Sequence, residues 1–262
     1  FPDACLLLVD TYDTLKSGVP NAIRVFRELR EKGHEPKGIR LDSGDLAYLS
    51  KRARRMLDDA GFPDAIICAS GDLDEHVIAS LKNQGAKIDL WGVGTKLITS
   101  SDMPALGGVY KLSALYPAGG GEIPKIKLSD NSDKITNPAF KDVWRIYDNE
   151  TGKAEADLIV VRGETFDESK PLTIFHPKET WKRITFTDYT VRPLTVQVMR
   201  GGELCAPLPP LSEICAYASR EKESFWDEYK RQDNPHVYKV DLSQKLFDIK
   251  NKLISQIRGN DG

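Results

Sequence analysis

In the stretch GIRLDSGDLAYL, from Gly38 to Leu49, a cation and a carboxylate, Arg40 and Asp42, stand two residues apart. On a regular strand that spacing puts both side chains on one face. A guanidinium suits a planar carboxylate, because its fork of N–H donors matches two oxygens at once. Ser43 follows within an Asp-Ser-Gly-Asp turn, and Asp45 is a good N-cap for a helix opening at Leu46. Ser70-Gly71-Asp72 and Trp91-Gly92-Val93-Gly94-Thr95-Lys96 hold the equivalent places one and two units later. Glycines let backbone N–H groups approach a phosphate closely, and the Thr95 hydroxyl offers one more donor. Asp42 or Asp72 would then take ribose hydroxyls or a magnesium ion. Taken singly, Ser70–Asp72 serves equally well as a helix-capping turn, and Gly92-Val93-Gly94 as a plain tight turn. Taken together, these turns describe a pocket for a phosphorylated sugar.

The other chemistry-bearing residues say less. Lys125, Lys127, Lys134, Lys141 and Arg145 gather in one segment, which reads either as a solvated basic surface or as an anion-facing loop. His34, His76, His176 and His236 show no ligand spacing and read as surface histidines. The cysteines Cys5, Cys68, Cys205 and Cys215 are scattered, without a C-x-x-C pair, as in a chain with reduced thiols and no zinc site.

Strand and helix alternate ahead of these turns. Leu6–Asp10 is a short apolar strand ending in a carboxylate. Asn21–Lys32 has helical spacing and stops at Gly33; the Gly38 strand is followed by a helix over Leu46–Ala60 that stops at Gly61. Ala65–Ala69 is a strand, Asp74–Gln84 a helix closed by Gly85, and Lys87–Trp91 a strand. The alternation has a period of ~30 residues, the mark of βα units and a parallel sheet, and the apolar strands predict cover on both faces. After Ser100 the pattern turns to strands: Val109–Tyr116, Ile126–Leu128, Val143–Tyr147, Leu158–Arg162, Leu172–Phe175 and Thr190–Met199, with a hairpin connection at Asn149–Gly152. Leu204–Pro210 holds three prolines and predicts an extended linker; helices follow over Ser212–Arg231 and Leu242–Ile257.

The chain has 262 residues, with 37 basic and 39 acidic side chains, so the net charge of −2 gives no support to nucleic-acid or membrane-surface binding. No apolar run approaches the ~20 residues of a membrane span, and no signal peptide is visible. The expected class is α/β and the expected location cytoplasmic. The chain opens at Phe1, close ahead of a core strand, which predicts the C-terminal part of a longer protein.

Six words in order carry a resemblance: LLLVDTYDTL (Leu6–Leu15), GIRLDSGDL (Gly38–Leu46), ASGDLDE (Ala69–Glu75), WGVGTKL (Trp91–Leu97), LGGVYKLSAL (Leu106–Leu115) and KLSDNSDKITNP with its following VWR (Lys127–Arg145). The chain resembles nicotinate phosphoribosyltransferase. That resemblance implies part of an irregular α/β barrel of the type II phosphoribosyltransferase kind, followed by a β-rich segment and C-terminal helices. The implied division is residues 1–115 for barrel units, 116–203 for the β-rich segment and 204–262 for the helices. The family joins nicotinate to 5-phosphoribosyl-1-pyrophosphate (PRPP), forming a glycosidic C–N bond and releasing pyrophosphate. It is implied to use ATP as co-substrate and Mg2+ as cofactor, to serve NAD biosynthesis, and to form homodimers.

By the same resemblance Arg40 would face nicotinate and its carboxylate, and Asp42 the ribosyl group and its metal-bound pyrophosphate; these two are the catalytic candidates. Ser43 lies in the same binding turn. Ser70, Gly71 and Asp72 would line the ribose-phosphate pocket, and Gly92, Gly94 and Thr95 would bind the 5-phosphate through backbone N–H groups. No residue is assigned as a protein metal ligand. The family's phosphorylated histidine lies in a Gly-Thr-x-x-His segment that has no counterpart here, so the chain alone is expected to be inactive. Ala139 stands where the family commonly has glycine after proline. Alternatives are a non-catalytic phosphosugar- or nucleotide-binding module, and a related transferase using nicotinamide or quinolinate.

Overall fold

The computed structural model describes residues 1–131, 134–179 and 181–259. Ser132 and Asp133, inside the KLSDNSDKITNP word, lie outside the described residues. The chain divides into two compact units, Phe1–Gly108 and Val109–Gly262.

The first unit carries a four-stranded parallel sheet of β1 (Leu6–Leu8), β2 (Gly38–Leu41), β3 (Ile66–Ala69) and β4 (Leu90–Trp91), in the order β1-β2-β3-β4. Helices α1 (Val19–Glu31), α2 (Leu46–Asp59) and α3 (Glu75–Asn83) connect them, and a short α4 (Thr95–Ile98) follows β4. Sequential strand order, with residues of all three helices packed into one core against the sheet, is the arrangement of a barrel wall. Asp45 and Asp74 cap α2 and α3, accepting from the Tyr48 and Val77 N–H groups at 2.9 and 2.8 Å. Ile39, Leu41, Ile67 and Ala69 pack with Val19, Phe26, Ala53, Leu57 and Leu81 into one core on that side.

The expectation of cover on both faces is corrected. Leu8, Arg40, Cys68 and Leu90 are register partners across the other face. Cys68 is buried there, but Leu8 is 52% and Leu90 49% exposed. Apolar strand composition records a face suited to burial, and these residues cover only one of the two.

The second unit has a two-stranded pair, β5 (Ala114–Leu115) with β6 (Ile123–Pro124), and a six-stranded sheet. The larger sheet contains β7 (Lys141–Asp148), β8 (Ala154–Val161), β9 (Leu172–Phe175), β10 (Arg183–Phe186) and β11 (Tyr189–Pro193). A hairpin of β12 (Met199–Arg200) and β13 (Glu203–Leu204) precedes α5 (Leu211–Glu223), β14 (Lys239–Leu242) and α6 (Gln244–Gly259). The order is β10-β9-β14-β8-β7-β11, antiparallel except for β14 beside β8. Leu242 and Leu246 join Val161 and Ala139 in a core against α6, while Ile146, Leu158, Val160 and Ile174 form a second core.

The hairpin at Asn149–Gly152 joins β7 to β8 as expected, with the Asp148 N–H on the Lys153 carbonyl at 2.9 Å. Several boundaries differ. The strand expected at Val109–Tyr116 shrinks to Ala114–Leu115, the one at Ile126–Leu128 is replaced by Ile123–Pro124, and the one at Thr190–Met199 ends at Pro193. One further backbone bond, from the Leu194 N–H to the Val143 carbonyl at 2.8 Å, closes the pairing with β7. The helix expected over Ser212–Arg231 ends at Glu223, and Phe225 and Trp226 turn back to side-chain partners, Phe225 against Tyr238 and Trp226 Nε1 on Glu155 at 2.9 Å. Arg183–Phe186 and Lys239–Leu242 form further strands; each alternates polar and apolar residues over only four positions, a run too short to stand out in the sequence, and they take their backbone bonds from β9 and β8 respectively.

Candidate functional site

The carboxyl ends of β1, β2, β3 and β4 lie side by side because the strands are parallel and in register. The Val9 N–H continues the ladder onto the Arg40 carbonyl at 3.2 Å, Ser70 onto Leu41 at 2.9 Å, and Gly92 onto Ala69 at 2.7 Å. Polar residues that follow each strand are thus delivered to neighbouring positions on one edge of the sheet.

Three of the expected residues meet there. Arg40 Nε donates to Ser70 Oγ at 2.7 Å, and Arg40 Nη2 donates to Asp42 Oδ1 at 2.8 Å. The Ser70 hydroxyl donates to the same Asp42 oxygen. Ser70 is buried, whereas the Arg40 and Asp42 side chains are close to half exposed. Ser70, and then Arg40, hold the Asp42 carboxyl below its usual range, and Asp42 raises Arg40 in return. Burial pushes the neighbouring Cys68 thiol up. The cluster is therefore an ionised pair, with one guanidinium edge and the second carboxylate oxygen uncommitted.

Gly71 explains how the two turns fit. Its φ is +91°, and a Cβ there would sit 2.1 Å from the Asp42 carbonyl oxygen. Asp72 follows at φ +47°, a left-handed backbone uncommon outside glycine, asparagine and aspartate. Ser43 donates its hydroxyl to Asp10 Oδ2 at 2.6 Å, and the Asp42 N–H donates to the same oxygen at 2.8 Å. Asp10 was not among the expected site residues. Its signal was the carboxylate that ends the LLLVD strand, in the place Asp42 holds after β2.

The glycines after β4 play different parts. The Gly92 N–H is committed to Ala69, so it is not free for a phosphate; a Cβ at Gly92 would lie 3.2 Å from Ser70 Cβ. Gly92 therefore provides close packing beside Ser70. The Gly94 and Thr95 N–H groups donate to no group among the described residues. Gly94 precedes Thr95 at the start of the four-residue α4. No hydrogen bond links either residue to Arg40 or Asp42.

The basic segment in the second unit is neither a solvated face nor an anion-facing loop at two of its positions. Lys141 Nζ caps the carbonyls of Asn137, Pro138 and Ala139. Arg145 grips Asp157 with Nε at 2.7 Å and Nη2 at 3.0 Å, reaches Glu221 at 3.2 Å and lies over the Phe225 ring. Ala139, fully buried, adopts φ +70°.

Among the described residues no three His, Cys, Asp or Glu side chains gather to hold a metal. A magnesium ion that arrives with a pyrophosphate asks for only one or two protein carboxylates. The free carboxylate oxygen of Asp42 suits contact with such a metal-bound pyrophosphate. All four cysteines are free thiols, and no helix among the described residues is long and apolar enough to cross a membrane.

Residues 140–250 match the family model described as the nicotinate phosphoribosyltransferase C-terminal domain. Nicotinate phosphoribosyltransferase of Bacillus subtilis (strain 168) is 47% identical over 254 residues, 97% of this chain and 51% of that protein. The proteins of that name from Dictyostelium discoideum and Homo sapiens are 38% and 32% identical, each over 97% of this chain and 44% and 47% of their own length. The crystal structure of human nicotinic acid phosphoribosyltransferase superposes with a TM-score of 0.78 at 29% identity, covering 97% of this chain and 47% of that one. Nicotinate-nucleotide pyrophosphorylase from Pyrococcus furiosus shares the fold alone, at a TM-score of 0.51 and 18% identity. The chain spans about half the length of the curated relatives it matches. The chain resembles the C-terminal part of nicotinate phosphoribosyltransferase, and its fold class is α/β, with the parallel sheet as part of a barrel.

Proposed function

We propose that this chain supplies the Arg40–Asp42–Ser70 wall of a nicotinate phosphoribosyltransferase active site, in an enzyme of NAD biosynthesis that works in the cytoplasm as a homodimer. The observation that carries the reading is the convergence of Arg40, Asp42 and Ser70 at the ends of adjacent parallel strands. In this reading the nicotinate carboxylate meets the outer edge of Arg40, whose inner donors are held by Asp42 and Ser70. The orienting cost is met before the substrate arrives. The ribosyl carbon gains positive character as pyrophosphate leaves, and the ionised Asp42 stabilises it from the sugar side. Ser70, Gly71 and Asp72 line the ribose-phosphate pocket, and the free N–H groups of Gly94 and Thr95 face the 5-phosphate. Asp42 would face the magnesium-bound pyrophosphate, where the ion would supply charge neutralisation for the leaving group.

ATP coupling through a phosphorylated histidine belongs to the same proposal, and none of the four histidines of this chain serves it. His34 Nδ1 is 2.9 Å from Asp3 Oδ1, and the His176 ring nitrogen accepts from the Glu179 N–H at 2.9 Å. His236 packs edge-on against Tyr229, and His76 belongs to α3. Residues 1–262 by themselves therefore bind substrate without turning it over.

The test is calorimetric titration of the purified chain with PRPP and magnesium, followed by chromatography of mixtures containing nicotinate and ATP. PRPP binding without nicotinate mononucleotide is the expected result. Absence of PRPP binding removes the proposal, and product formed by this chain alone overturns the expectation that it binds without turnover. Competition among nicotinate, nicotinamide and quinolinate separates this activity from the related transferases, with nicotinate expected to win.

A further inference from the structure

The parallel ladder between β1 and β2 changes character at its carboxyl end. The Val9 N–H still pairs with the Arg40 carbonyl. The next donor, the Asp42 N–H just past β2, pairs instead with a side chain, Asp10 Oδ2 at 2.8 Å. The same oxygen accepts from the Ser43 hydroxyl at 2.6 Å. One carboxylate oxygen thus fastens two consecutive residues of the turn that carries Asp42.

Fastening matters because Asp42 must point in two directions at once. Its N–H is held toward β1 by Asp10, while its Oδ1 is held toward β3 by Ser70 and beside it by Arg40. Release of the β1 side lets the turn swing, and a swing of even part of an ångström degrades three charge-assisted hydrogen bonds together. Asp10 also has Oδ1 free among the described residues, and it lies within electrostatic reach of Arg40.

We propose that Asp10 is the positioning residue for Asp42, locking the Asp42–Ser43 turn so that the Asp42 carboxylate stays on Arg40 and Ser70 and faces the ligand ready-oriented. The substrate side of this inference rests on the phosphoribosyltransferase reading; the positioning itself does not.

Charge and geometry separate by sign. Removal of a nearby negative charge alone would make Asp42 easier to ionise and lower its titration midpoint. Loss of positioning loosens Ser70 and Arg40 and raises it. Carbon-13 carboxyl NMR titration of Asp42 in the chain decides between them. Asp10→Ala, which removes acceptor and charge, is expected to move the midpoint up toward the ordinary aspartate value near ~3.9. Asp10→Asn keeps an acceptor oxygen and removes only charge, so the midpoint is expected to stay low. Binding of PRPP with magnesium is expected to weaken roughly tenfold in Asp10→Ala, the scale of a lost hydrogen bond to a charged group, and less than threefold in Asp10→Asn by the same scale. Ser43→Ala removes one of the two bonds and is expected to move both readouts part of the way; it serves if Asp10→Ala fails to fold. An Asp42 midpoint that falls or stays fixed in both Asp10→Ala and Ser43→Ala overturns the positioning role. A wild-type chain that does not bind PRPP overturns the substrate reading and leaves the titration to decide the positioning.

Discussion

Ser70, at the end of β3, donates its hydroxyl to the carboxylate of Asp42, at the end of β2, although 28 residues separate them in the chain. The bond holds the Asp42 carboxyl low, so in the folded state it resists protonation more than in the unfolded chain. Its contribution to stability is therefore present above the unfolded value near ~3.9 and is lost as pH falls through the depressed folded value. Ser70→Ala is expected to lower stability at pH 6 and to flatten the loss seen on acidification. Urea midpoints measured from pH 6 down to pH 2.5 check this, and parallel curves for variant and wild type would count against it.

Arg40 has a planar fork that lysine lacks. Arg40→Lys keeps the charge but cannot hold Asp42 and Ser70 while meeting a carboxylate ligand edge-on. Nicotinate affinity is expected to fall by roughly tenfold or more, and more steeply than PRPP affinity. Equilibrium binding of each ligand separately provides the check.

Gly71 sits where any side chain would strike the backbone of the neighbouring turn, and its φ of +91° is itself costly for other residues. Gly71→Ala is expected to destabilise the first unit by roughly 2 kcal/mol or more. The same substitution should separate Ser70 from Asp42 and raise the Asp42 midpoint. Chemical denaturation and carboxyl titration on one sample read both.

Ala139 adopts a left-handed backbone, φ +70°, while fully buried. Ala139→Gly relieves that strain, about 1–2 kcal/mol, which offsets the lost methyl and the added chain entropy. The net change is expected to lie within about 1 kcal/mol of zero. Ala156→Gly, in the regular strand β8 and equally buried, has no strain to relieve and is expected to cost about 1–2 kcal/mol. Denaturation midpoints of the two variants, side by side, make the comparison.

Lys250 is buried and donates to Asn137 Oδ1 at 2.8 Å and the Pro177 carbonyl at 2.7 Å. Burial lowers its pKa to about 8. Between that value and the unfolded value near ~10.4 the unfolded chain binds the extra proton, so stability contributed by this group rises with pH across the window. Relative to Lys250→Met, the wild type is expected to gain roughly 2–3 kcal/mol between pH 7 and pH 10. Urea denaturation of both proteins at pH 7, 8, 9 and 10 provides the difference, and a constant difference would refute it.

The sequence alone determined the βα period, the helix cap at Asp45, and the polar turns after each strand. All of these rest on local rules: apolar spacing, capping side chains and the backbone freedom of glycine. It also pointed to Arg40, Asp42 and Ser70 as residues of one site. Only the tertiary structure decided that Asp10 fastens the Asp42 turn, that the Gly92 N–H is already spent on Ala69, and that Lys141 and Arg145 are consumed internally. Which donor finds which acceptor depends on strand register and on the close approach of turns far apart in the chain. The strands Arg183–Phe186 and Lys239–Leu242 alternate polar and apolar residues over only four positions each, too short a run to decide the matter until the sheet supplied their partners.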